Sequence, residues 1–189
     1  ADETPVLVNR DGRPAGSKSY MWVYRSGYLY EDRQIVLYEY QKTRNASHPR
    51  EFLKNYSGIC VTDGYQVYHT VEKELESLRI AGCWVHCRRK FEEALKVVPK
   101  GSEKESLSYL IMKQIQAIYR EENKLNDLSS EERLKQRQVV VQPLVDAFFA
   151  YIKTLKVSKK DTFGDAVGYA LNQERYLRVF LEDGDVPID

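Results

Sequence analysis

Along the first half of the chain the apolar positions come in short runs of β-branched and aromatic residues, bounded by Gly, Asp, Asn and Pro: Val6 to Val8, Tyr20 to Tyr24 with Tyr28 to Tyr30, and Gln34 to Tyr40. The pattern predicts three strands joined by short turns, an antiparallel meander. Ser47, His48 and Pro49 predict a helix start with Ser47 as its cap, Phe52, Leu53 and Tyr56 on one face, and Gly58 as its end. Ile59 to Thr62 is a short apolar run closed by Asp63 and Gly64, which predicts a buried strand and a turn. A helix through Val67 and Val71, a strand from Leu78 to Cys83 and a helix from Trp84 to Val97 complete this part.

The resulting order, βββαβαβα, predicts an α/β (α+β) fold with a mixed sheet covered by helices, the order of ribonuclease-H-like folds. Near Pro99, Lys100 and Gly101 the pattern changes, so the expected division is a core over residues 1–98 and an all-helical region over 99–189. In the second region the period is helical throughout. Leu107, Leu110, Ile111, Ile115, Ile118 and Tyr119 form one stripe, and Ser129 to Glu132 spells a capping box. Pro143 opens or kinks a helix with Leu144, Val145, Phe148, Phe149, Ile152 and Leu155 on one face, and a last helix runs from a Thr162 cap to Leu181, stopping near Gly184.

Composition adds limits. At 189 residues the chain is long enough to bury a sizeable core, and 42% hydrophobic with 30% charged residues describes a globular chain. The net charge of +1 excludes a protein that coats nucleic acid through overall basicity. It does not exclude a local groove: Lys42, Arg44, Arg50 and Lys54 against Glu51, and Arg79, Arg88, Arg89, Lys90 and Lys96 against Glu92 and Glu93, are each a net +3. Of 14 tyrosines, 6 lie between Tyr20 and Tyr40, so the tyrosine excess is largely a strand excess. No run approaches the roughly 18 apolar residues of a membrane span, and the first residues lack the basic and apolar regions of a signal peptide. Three cysteines suit a reducing compartment, with a cytosolic address as the default expectation.

Few residues stand out for chemistry. Asp2 opens the first strand and Asp63 follows a later one, and side chains at strand ends project into crevices where ligands bind. If the two strands are neighbours, both carboxylates face one cation; otherwise Asp2 is a frayed terminal residue and Asp63-Gly64 an ordinary turn. Two carboxylates about 4 Å apart repel by roughly 4 kcal/mol at an effective dielectric of about 20, so such a pair needs a metal or a shared proton. Oxygen ligands favour Mg²⁺ or Mn²⁺. Cys83, His86 and Cys87 fall within one turn, either a partial zinc site or two small buried thiols beside a hydrogen-bonding imidazole. Arg88, Arg89 and Lys90 are phosphate-binding candidates or a solvated helix face.

Several stretches, in order, resemble the transposases of the insertion sequence 66 family: Asp2 to Pro5, Tyr20 to Arg25, Thr62 to Tyr68, Gly82 to Phe91, and Ala166 to Leu171 continuing to Phe180 to Asp189. The resemblance covers essentially the whole chain. It implies a DDE-type catalytic core on a ribonuclease-H-like fold, with the helices after residue 100 as an insertion. It implies Asp2 and Asp63 as the first two catalytic acids, binding Mg²⁺ or Mn²⁺ in a two-metal arrangement that activates water and then a DNA 3′-hydroxyl. It further implies transposon-end and target DNA as partners, with Arg44, Arg88, Arg89 and Lys90 as DNA-binding residues, self-association of the full-length protein, no membrane, and a bacterial cytoplasmic, nucleoid-associated location. The family's third acid, a Glu after an Asn-Asn pair, is expected beyond residue 189, and the upstream DNA-binding portion before Asp2. Glu174 and Glu182 do not match that motif. The expectation is therefore a middle segment of a transposase that is itself inactive. The competing readings are a non-catalytic interaction module derived from a transposase, and another ribonuclease-H-like nuclease.

Overall fold

The structure, a computed structural model, describes residues 1–9, 12–14, 16–27, 33–158 and 160–189. It is a mixed α/β chain whose packing divides into two compact units, residues 1–80 and 81–189. The Tyr28 to Tyr30 part of the second predicted strand run lies outside the described residues.

In the first unit, β1 (Asp2–Leu7), β2 (Lys18–Arg25) and β3 (Val36–Gln41) form an antiparallel sheet in that order. β1 begins at Asp2, well before the Val6 start that apolarity alone predicts, because its backbone pairs in register from Asp2↔Val23 to Leu7↔Lys18. β2 pairs β3 from Tyr20↔Gln41 to Arg25↔Val36. Side chains alternate across a strand, so Trp22 and Tyr24 share a face. Trp22 meets His48 and Tyr68 edge-on, with ring centroids 6.1 Å apart in both cases, and Tyr24 stacks on Phe52 at 3.5 Å. Those partners come from α1 (Ser47–Leu53) and α2 (Gln66–Glu74), so burial of the aromatic face, worth roughly 1.5–3 kcal/mol per large side chain, holds the helices on the sheet. The cap of α1 differs from expectation. Ser47 is already helical, and it is Asn45 whose Oδ1 accepts the Ser47 N–H at 2.9 Å.

β4 (Gly58–Thr62) and β5 (Leu78–Gly82) pair in a second sheet. Gly58 belongs to this strand's start. Its φ of +137° is closed to other residues, and its N–H donates to Ser77 O at 2.9 Å.

The second unit is helical: α3 (Trp84–Lys96), α4 (Leu107–Asn123), α5 (Ser130–Gln136), α6 (Gln142–Thr154) and α7 (Thr162–Leu177). α3 packs on α4 and α7, with Trp84, Cys87, Phe91 and Ala94 buried, so it belongs by packing with the helices that follow it. Trp84 is the centre. Its ring meets Phe148, Phe149 and Phe180, and its Nε1–H donates to Leu177 O at 2.8 Å, which answers the polar need of a fully buried indole. The capping box at Ser129 and Glu132 forms as expected. α7 is capped by Asp161, one residue before the expected Thr162, its Oδ1 accepting the Gly164 N–H at 2.6 Å. α7 gives way after Leu177 to a 3₁₀ turn, Val179–Leu181, inside the helix predicted to run on to Leu181. α5 passes into α6 through a π-helical turn, Arg137–Val141, which places Arg137 in the core. Among the described residues no helix is long and apolar enough to cross a membrane.

A carboxylate site beside a buried ion pair

Asp2 lies at the first position of β1 and Asp63 in the turn between β4 and α2. Their carboxylate oxygens come within 4.8 Å of one another. Local structure fixes both groups. Asp2 Oδ1 accepts the Glu3 N–H at 2.9 Å, and Asp63 Oδ1 accepts the Tyr65 N–H at 3.0 Å, the Asx turn that opens α2. Asp2 is exposed and Asp63 half-buried. Carboxylate oxygens at this separation, reachable from solvent, fit a hard divalent cation such as Mg²⁺ or Mn²⁺.

Glu3 is the site's unexpected member. In register with Trp22, it turns its side chain to the aromatic face, where the carboxylate is fully buried. Oε2 accepts the Tyr68 O–H at 2.9 Å, and Oε1 accepts Nε–H of Arg44 at 2.7 Å and its Nη2–H. Nη2 of Arg44 also faces Asp63 Oδ2 at 3.9 Å, and the guanidinium lies 3.7 Å over the Tyr65 ring. Burial raises the Glu3 carboxyl above its usual range, against the lowering by Arg44 and Tyr68, and the negative charge of Asp63 adds to the rise. Burial and the Glu3 charge push the Tyr68 hydroxyl far up, so it serves as a donor. Strand alternation is the sequence signal that points to Glu3: of two consecutive acids on a strand, one must face inward.

The expected DNA-binding residues fall into two groups. Arg44 turns its guanidinium to Glu3 and stays 38% exposed. In the helical unit, Arg88, Arg89 and Lys90 lie on the exposed face of α3. Arg88 pairs with Glu92 at 2.8 Å, whereas Arg89 and Lys90 make no ion pair among the described residues. Cys83, His86 and Cys87 do not gather their donor atoms as a metal cluster among the described residues. Cys87 is fully buried, and burial pushes its thiol far up, the behaviour of a small packing residue. Glu174 is held by Lys153 and Arg178. Asp189 Oδ1 accepts the Tyr119 O–H and, at 3.0 Å, the Val85 N–H, so it satisfies the first turn of α3; burial nonetheless raises its carboxyl.

Against known proteins, the family model described as "Transposase IS66 family" matches residues 1–189. The uncharacterized protein y4qI of Sinorhizobium fredii is 30% identical over 200 residues, spanning 100% of this chain and 36% of that protein. A second protein of the same organism, y4jD, is 28% identical over 161 residues, 82% of this chain and 30% of its own length. The chain thus spans about a third of the length of these curated relatives. No solved structure matches.

Proposed function

This chain belongs to the IS66 transposase family, and from that premise we propose that it is a catalytic-core segment of a DNA transposase, a DDE-type polynucleotidyl transferase on a ribonuclease-H-like fold, with Asp2 and Asp63 as metal-binding acids. The observation that carries the reading is the approach of those two carboxylates to within 4.8 Å from elements far apart in sequence. Left alone, such a pair repels; Mg²⁺ or Mn²⁺ in a two-metal arrangement turns the repulsion into binding. When bound, the metal supplies Lewis-acid stabilisation of a phosphodiester and activation of the attacking oxygen.

The Tyr65 N–H holds Oδ1 of Asp63 and the Glu3 N–H holds Oδ1 of Asp2, so local backbone contacts orient both carboxylates. In the helical unit, taken by itself, the exposed Arg88, Arg89 and Lys90 of α3 supply cations of the kind a DNA backbone requires. The finer expectations, strand transfer between transposon end and target and self-association of the longer protein, belong to this same proposal.

Mn²⁺ titration is the direct test. Asp63→Asn is expected to weaken binding by more than the roughly 10–100-fold typical of losing an outer partner, since it removes a ligand itself. Unchanged binding would reject the assignment.

A second reading, a non-catalytic interaction module, draws on the apolar edge of the sheet, where Ile35, Leu37 and Tyr38 are 58%, 48% and 69% exposed. The same titration separates the two, because an interaction module has no need of Asp63-dependent metal binding.

A further inference from the structure

Arg44 raises a question that the metal reading leaves open: why a guanidinium sits beside a pair of acids that have to bind a cation. We propose that Arg44 is a positioning residue whose charge is cancelled by Glu3, and that the Glu3–Arg44 pair thereby sets the divalent affinity of Asp2 and Asp63. The inference rests on the metal-binding reading of those two acids.

The geometry supplies each step. Both Nε and Nη2 of Arg44 are drawn to one oxygen of Glu3, Oε1, while Nη2 stands 3.9 Å from Asp63 Oδ2, beyond a direct hydrogen bond. Glu3 is in turn locked by the Tyr68 hydroxyl on its second oxygen, at 2.9 Å, on a face closed to solvent. The loop carrying Arg44 is tied to the turn carrying Asp63, because the Tyr65 O–H donates to Arg44 O at 2.9 Å and the Tyr65 ring supports the guanidinium. The buried glutamate therefore holds the arginine back from the site, and its charge neutralises it there.

Without Glu3 that charge is uncompensated, and Asp63 is the nearest anion left to it. A guanidinium that pairs with Asp63 opposes a divalent ion on the same carboxylate twice: it occupies the oxygen and it repels the cation. At the separations here and a solvent-weighted dielectric, one extra positive charge lowers divalent affinity by about tenfold or more.

The test is Mn²⁺ binding to this chain, followed by electron paramagnetic resonance of the free ion, with Asp63→Asn as the control. Glu3→Gln, isosteric but neutral, is expected to weaken Asp63-dependent binding at least about tenfold, and Glu3→Gln/Arg44→Gln to restore it to within about threefold of wild type. A merely structural role for the pair gives the opposite order, with the double variant the worst. If Glu3→Gln does not fold, the double variant decides alone: near-wild-type affinity upholds the proposal and a tenfold loss overturns it. Asp63-dependent binding that Glu3→Gln leaves unchanged overturns this inference and spares the metal site. Absence of Asp63-dependent binding in the wild type removes both.

Discussion

Each unit of the molecule buries a glutamate against an arginine, and the two pairs are built for different ends. In the helical unit, Glu122 and Arg137 are 5% and 0% exposed. Arg137 gives Nε–H to both Glu122 oxygens, at 3.0 and 3.1 Å, and Nη1–H to the carbonyls of Phe180 and Asp183, each at 2.7 Å. One turn earlier Arg133 donates to the carbonyls of Leu125, Asn126, Leu128 and Gly184. These arginines close the end of α4 and the 180–184 turn, where a Cβ at Gly184 would stand 1.9 Å from Ser130 O. In the strand unit, by contrast, the glutamate is saturated while the arginine remains 38% exposed and within reach of a second carboxylate. A buried pair whose donors are all used inside is architecture. A pair with one partner left at the surface beside other acids has electrostatic influence to exert.

The largest effect should come from breaking the closed pair. Arg137→Met leaves Glu122 buried without its cation and removes the donors to Phe180 O and Asp183 O. Urea denaturation should show a loss of about 3–5 kcal/mol. Glu122→Leu/Arg137→Met should recover a good part of it, since an apolar pair of similar volume carries no stranded charge. If the single and double variants are equally unstable, the carbonyl clasp outweighs the ion pair.

The two pairs were unequally visible in the sequence, for a physical reason. The β-branched and aromatic run from Tyr20 to Tyr24 and the 3.6-residue period after Leu107 show the apolar elements because burial demands them. The capping box at Ser129 was equally legible, being wholly local. Polar residues are read as facing water, and Glu3, Glu122, Arg133 and Arg137 defeat that rule. Glu122 and Arg137 meet only after the chain turns between α4 and α5, and Arg137 is carried inward by a π-helical turn that local composition does not mark. Arg133 and Arg137, one helical turn apart, are the only hint. The approach of Asp2 to Asp63 was available as a condition on strand adjacency and from the family resemblance, whereas the pairing of Arg44 with Glu3 was not, because an acid at the start of a strand reads as a surface residue.

A smaller effect tests how firmly the open pair is anchored. Tyr68→Phe removes the hydroxyl from Glu3 Oε2 with no change of shape, leaving one buried carboxylate oxygen without its donor. The expected cost is about 1–3 kcal/mol by urea denaturation, the usual penalty for stranding a buried acceptor. A negligible change would mean that water reaches Glu3, which contradicts its full burial.

The smallest and most discriminating effect is that of salt on the two couplings. Double-mutant cycles for Glu3–Arg44 and Glu122–Arg137 isolate each pair's interaction energy, provided the single variants introduce nothing new. The Debye length falls from about 10 Å at roughly 0.1 M salt to about 3 Å at roughly 1 M, and screening acts on charges that mobile ions can approach. Ions can approach Arg44 and cannot approach Arg137. The Glu3–Arg44 coupling should therefore shrink measurably across that range, while the Glu122–Arg137 coupling stays constant to within about 0.3–0.5 kcal/mol, the usual additivity error. Equal insensitivity would mean that Arg44 is as sealed as Arg137, and a sealed guanidinium has no route by which to modulate a solvent-facing carboxylate pair.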